Sequence, residues 1–103
     1  MKKVRRLGQG LGARVLIMTA AKHDHLLSRV SHLPHMVAYS IVNAVASKSL
    51  GTLAAGGFRD FTRIASSDPV MWRDVCISNG AALEKFIEGY KQELDEVSIA
   101  IRN

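Results

Sequence analysis

The side chains best suited to chemistry fall into two groups. The first holds four histidines within thirteen positions, His23, His25, His32 and His35, with Asp24 between the first two. Imidazoles at that density raise the question of a metal site, and His32 and His35, three apart, can share a helix face. A coordination shell needs more than this pair. No second carboxylate or thiol lies nearby, and Pro34 distorts the turn between the two rings. A His–Asp phosphohydrolase would need further ligands downstream in a suitable order, and the chain lacks that pattern. No metal is assigned.

The second group is Gly56-Gly57-Phe58-Arg59-Asp60-Phe61-Thr62-Arg63. Glycines let a backbone come close to a ligand, and a helix start offers unpaired amides to an anion. Arg59 and Arg63 are four apart and share a helix face. A guanidinium fork can grip a carboxylate bidentately, as a lysine cannot, and Asp60 can hold one of the arginines in place. A surface salt-bridge ladder would use the same residue types. The flanking glycines, Phe58 and Phe61, and a capped turn at Ser67 favour a pocket for a small carboxylate.

These groups need elements to carry them. Leu26, Val30, Leu33, Val37, Ile41 and Ala44 or Val45 recur at three-to-four spacing and predict a helix over 22–48, about 40 Å long. Apolar residues on its other faces predict burial nearly all round. Pro34 predicts a kink near Ser31–His35. Residues 50–57 are small and flexible, and a helix follows the glycines through Phe58–Ala65. Ser67 or Asp68 can cap a further helix at 69–78, with Pro69 at its first position, and Asn79-Gly80 ends it. In the last helix, about 81–101, Leu83, Ile87, Tyr90, Leu94, Val97 and Ile101 form a heptad seam. Packing against the first helix and packing across a subunit interface would bury the same stripe, and spacing alone leaves both open.

At the other end, Gly8, Gly10 and Gly12 mimic a dinucleotide fingerprint, but no strand precedes them and no helix follows. Residues 13–18 read instead as a short buried strand. An apolar strand without sheet neighbours is an aggregation liability, so helix, pairing with another chain, or disorder are the expected alternatives.

Composition narrows the function classes. The 103 residues are 48% hydrophobic, enough for the core of one domain, and no apolar run is long enough to span a membrane. Arg5, Arg6 and Arg14 interrupt any signal-peptide pattern. Cys76 is the single cysteine, which excludes an internal disulfide and suits a reducing cytoplasm. The net charge is +5, yet five cations lie in the first fourteen residues and the remainder balances at nine of each sign. A nucleic-acid-binding body would carry its excess across the fold, so nucleic acid is not an expected partner.

Two stretches extend this reading. His23-Asp24 followed by Ser31-His32-Leu33-Pro34-His35 resembles the HD…SHLPH signature of prephenate dehydrogenases. Residues 54–74, from Ala54-Ala55-Gly56-Gly57-Phe58-Arg59-Asp60 through Pro69-Val70-Met71-Trp72-Arg73-Asp74, are similar to that family's second signature along its length. The resemblance covers about residues 12–101. It implies an all-α fold, a multi-helix bundle with a long kinked first helix and a heptad-patterned last helix, forming an intertwined homodimer.

It also implies an N-terminal Rossmann domain that binds NAD or NADP and supplies the catalytic histidine, neither of which this chain contains. Residues 1–20 then read as the end of that missing domain, with Gly12–Met18 like its last strand, and 21–103 as the helical dimerisation and substrate-binding domain. The implied reaction is oxidative decarboxylation of prephenate to 4-hydroxyphenylpyruvate in tyrosine biosynthesis, with this piece inactive alone and binding no cofactor itself. By the resemblance, Arg63 grips a substrate carboxylate, Ser31 and His35 line the pocket, and Gly56 allows close approach. Arg59, Asp60, Ser67 and Trp72 close the pocket, some of them donated by the dimer partner. His23 and Asp24 organise the domain junction, His32 is a satisfied core histidine, and His25 is solvated. An arogenate dehydrogenase domain, or a helical dimerisation and regulatory module that binds an aromatic effector such as tyrosine, would share these features.

Overall fold

The computed structural model describes residues 1–46 and 55–103. Helix α1 is Lys2–Gly10; α2 is Ala20–Leu27; a π-helical turn, Ser28–His32, follows directly and runs into α3, Leu33–Ala46; then come α4, Gly56–Ala65, α5, Pro69–Ser78, and α6, Gly80–Arg102. The fold is all-α, with no strand among the described residues. The heptad helix and the capped helix at 69–78 stand where their patterns place them. Residues 47–48 of the long helix, and 50–54 of the glycine-bearing connection with Ala54, lie outside the described residues.

One expectation, the strand at 13–18, is not met at the N-terminus. The basic segment is helical, with Lys2, Lys3, Arg5 and Arg6 on one side of α1 and Val4 and Leu7 on the other. Residues 13–18 form neither strand nor helix. A strand requires a neighbour for its N–H and C=O groups, and no described segment offers one. The reversal between them is made at Gly12, whose φ of +77° favours glycine. The segment then passes so near α1 that a Cβ on Gly8 would sit 2.7 Å from Val15 Cγ2.

The long helix does not simply kink at its proline. It rewinds one turn earlier, where Leu33 N–H donates to the Ser28 carbonyl, five residues back. Pro34 follows with no N–H to give, so the ladder is already altered where the proline enters it. Burial is also less complete than the pattern predicts, since Val30 is 71% exposed.

Short polar residues set the remaining ends. The Thr19 hydroxyl accepts from Lys22 N–H at α2. The Asp68 carboxylate accepts from Val70 N–H at 2.9 Å and Met71 N–H at 3.5 Å, capping α5 with Pro69 at its first turn. α4 lies along α3, while α6 packs on the π turn, α3 and α5.

Very little of this is enclosed by one chain. Among the described residues, the buried apolar ones are Ala38, Trp72 and Leu83. The radius of gyration is 17.6 Å, where a compact domain of this length has about 13 Å. The accessible surface is 8287 Å², against about 5,700 Å² for a compact 11.3 kDa monomer. Helix α6 shows where the excess lies. Leu83 is buried, and Ile87 and Tyr90 are half-buried against the same chain. Leu94, Val97 and Ile101, on the same seam, are 49%, 54% and 80% exposed. The first half of the heptad is thus mostly covered within the chain and the second half is about half covered or less.

Candidate functional site around the two-histidine turn

The π turn and the first turn of α3 bring His32 and His35 against Trp72 of α5. His35 stacks on the indole with ring centroids 3.6 Å apart and planes at 19°. His32 meets it edge-on, at 5.9 Å and 76°. The His35 Nδ1 lies 2.9 Å from the Ser31 carbonyl oxygen. A carbonyl only accepts, so Nδ1 carries a proton and Nε2 of the neutral ring is left with a lone pair. His35 therefore presents an acceptor when neutral, or a second donor when charged. Trp72 Nε1 is buried with no hydrogen-bond partner among the described residues. A buried N–H without an acceptor costs free energy unless something beyond the chain accepts it.

His32 is 9% exposed, and its Nδ1 lies 3.4 Å from Asn79 Nδ2. Burial pushes its pKa down, Asp24 opposes that, and His23 and His35 add to it. Asn79 Nδ2 also donates to the Asp24 carbonyl at 2.7 Å, tying the α5–α6 corner to α2. Within α2, His23 Nδ1 and Asp24 Oδ1 pair at 3.0 Å, both more than half exposed. His25, expected to be solvated, is exposed and edge-on to Phe86 at 5.3 Å, and Arg29 lies over the same ring.

The second group is carried by α4. Its Phe58, Phe61, Thr62, Ile64 and Ala65 are half-buried toward α3, while Arg59, Asp60 and Arg63 are exposed on the opposite side. The pairing of Asp60 with an arginine is not made, since none of the three enters an ion pair among the described residues. A charged group with full access to water gains little from such a pair, which explains its absence in the single chain. Gly56 is exposed, and a Cβ there would meet nothing within 4 Å among the described residues. The turn after α4 is well held. Ser67 Oγ donates to the Ile64 carbonyl, and the Ser67 carbonyl accepts from the Tyr39 hydroxyl at 2.7 Å.

One chain thus assembles Ser31, His32, His35 and Trp72, places Ser67 on α3 through Tyr39, and leaves Arg59, Asp60, Arg63 and Gly56 facing outward. Sequence gives Asn79 no role beyond ending a helix and Tyr39 none, and it does not show the contact of Cys76 Sγ with Met36 Sδ at 3.3 Å, beside which burial pushes the thiol pKa up. Their partners lie 28 to 55 residues away, beyond any local pattern. Among the described residues, no three His, Cys, Asp or Glu side chains converge as a metal site, and no helix is long and apolar enough to cross a membrane.

The geometry can be set beside known proteins. Residues 19–103 match the family model described as prephenate dehydrogenase, dimerization domain. The prephenate dehydrogenase of Lactococcus lactis is 40% identical over 105 residues, which is 97% of this chain and 30% of that protein. Among solved structures, prephenate dehydrogenase from A. aeolicus in complex with hydroxyphenyl propionate and NAD+ superposes with a TM-score of 0.82 at 38% identity, covering 97% of this chain and 37% of that one. Synechocystis arogenate dehydrogenase gives 0.84 at 31%, covering 99% and 39%. The chain spans about a third of the length of the curated relatives it matches. With its helical order, its two-histidine turn and the whole of residues 19–103 accounted for, the chain belongs to the prephenate dehydrogenase family through the dimerization domain.

Proposed function

We propose that this chain is the dimerisation and substrate-side domain of a cytoplasmic, NAD-dependent prephenate dehydrogenase that converts prephenate to 4-hydroxyphenylpyruvate and carbon dioxide. The observation that carries the reading is the family match over 19–103 on a chain whose seam residues Leu94, Val97 and Ile101 stand uncovered. A second copy laid on that seam would bury them and make the homodimer.

Residues 1–18 lie outside the family match, yet 97% of the chain superposes on the A. aeolicus enzyme. That supports assigning α1 and 13–18 to the edge of a dinucleotide domain, whose sheet would give the extended segment its missing neighbours. This chain's own glycines do not fit NAD. Gly8 and Gly10 lie inside α1, where their amides serve the helix, so no pyrophosphate cradle forms there. NAD, or NADP, is accordingly proposed to bind to that other domain.

For the substrate, the chain would supply binding and orientation. Prephenate is a dianion with a cyclohexadienyl ring. Arg63, unpaired on α4, is proposed to hold a carboxylate, with Arg59, Asp60 and Gly56 beside it once a second copy or the dinucleotide domain covers that face. Ser31, His35 and Trp72 would line the ring's side of the pocket, with Ser67 holding the turn and His23 and Asp24 the domain junction. Release of carbon dioxide leaves an aromatic ring, which makes the step strongly downhill, so accurate placement of the ring carbon is the domain's main contribution.

The intact enzyme should form NADH and carbon dioxide one for one from prephenate. Arogenate in its place tests the neighbouring specificity. No NADH from either would overturn the reading.

A further inference from the structure

We infer that Asn79 is a positioning residue: its side-chain amide decides which nitrogen of His32 carries the proton and holds the α5–α6 corner on the histidine-bearing helix. The functional consequence, though not the proton placement, rests on the reading given under Proposed function.

The heavy atoms alone place the protons. A backbone carbonyl oxygen, that of Asp24, lies 2.7 Å from one terminal atom of the Asn79 amide. Carbonyls only accept, so that atom is the nitrogen, which fixes the amide's orientation. The same nitrogen is 3.4 Å from His32 Nδ1, at the long end of hydrogen-bonding reach. Its second N–H is available to that ring atom, which must therefore offer a lone pair. The proton of neutral His32 sits on Nε2. A charged His32 would set N–H against N–H, so Asn79 also opposes protonation.

The surroundings agree. From α2, Asp24 favours the cation and His23 disfavours it; from α3, His35 disfavours it; burial adds to the neutral side. Asp74 of α5 lines the same open groove beside Asn79. The ring so held meets Trp72 edge-on, and Trp72 carries the stacked His35 on its face. Asn79 thus stands at the far end of a row, Asn79–His32–Trp72–His35, whose other end is the proposed pocket wall.

The test is nitrogen NMR of the intact enzyme labelled with 15N-histidine, with the His32 signals assigned by His32→Gln. Wild type should show a protonated Nε2 and a bare Nδ1. Asn79→Asp replaces the donor by a charged acceptor, so the proton should move to Nδ1 and the His32 midpoint should rise by about one pH unit or more. In the same variant KM should rise several-fold while kcat stays within about twofold, because the residue orients the pocket wall and touches no reacting atom. A wild-type His32 protonated at Nδ1 overturns the inference outright, even if Asn79→Asp does not fold. An unchanged tautomer and midpoint in a folded Asn79→Asp would do the same. A wild type with the predicted tautomer but no turnover would count against the proposed function and leave the proton placement standing, whereas a folded Asn79→Asp with the predicted tautomer but lost kcat would overturn the positioning role.

Discussion

Shortening Leu94 to alanine should weaken self-association more than it weakens the fold of one chain. Leu94 is 49% exposed in the single chain, so about half of its side chain already touches neighbouring residues. Full burial of a leucine contributes about 1.5–3 kcal/mol, and the uncovered half is therefore worth roughly 1 kcal/mol when a second copy lands on it. Two copies lose it together in a symmetric dimer, about 2 kcal/mol, or roughly thirtyfold in Kd. Any cavity left at the seam adds to this. The assay is sedimentation across a concentration series, paired with urea unfolding at each concentration, since a dimer's apparent stability depends on concentration. Leu83→Ala is the internal control. Leu83 is 4% exposed inside its own chain, so its loss should cost about 2–5 kcal/mol. An unchanged Kd for Leu94→Ala, or unfolding midpoints that ignore concentration in wild type, would refute the assignment of the outer seam to a second copy.

Trp72→Ala should cost about 3–5 kcal/mol in urea unfolding, because the indole is 8% exposed and carries two imidazoles in a core with few other large side chains. Gly10→Ala should stabilise α1 by about 0.5–1 kcal/mol, since a Cβ there meets nothing, whereas Gly8→Ala should show no such gain because its Cβ would press on Val15; hydrogen exchange of residues 2–10 separates the two. Burial holds the folded-state pKa of His32 below its ordinary 6.5, so the unfolded chain takes up that proton first. Its contribution should be intact above about pH 7 and lost as pH falls through 6.5 toward the folded value, and His32→Gln should flatten that part of the pH–stability curve.

What sequence could reveal here was local. The Asp68-Pro69 cap and the heptad at Leu83–Ile101 depend on spacings of seven residues or fewer, the paired signatures on two stretches read in order along the chain, and each matches the structure or the family. Pro34 announced a disturbance, but its form was not legible, because rewinding at Ser28–His32 relieves the same missing N–H as a kink does. Residues 13–18 show a related limit. An apolar run states that it wants cover, and whether it becomes a strand depends on a sheet supplied from elsewhere. Asn79 looked like a helix breaker, since its bonds to Asp24 and His32 appear only once α5 and α2 meet. The exposure of Arg63 carries the same lesson: residue type named a carboxylate binder, while one folded chain leaves it facing water.

The most direct test is calorimetric binding of 4-hydroxyphenylpyruvate to the intact enzyme and to its Arg63→Ala variant, with sedimentation run on both. A charge-assisted bidentate contact is worth about 1.5–3 kcal/mol, so affinity should fall roughly tenfold to 150-fold while the dimer stays whole. Affinity untouched by the substitution, with the dimer disturbed instead, would contradict the assignment of that guanidinium to the substrate.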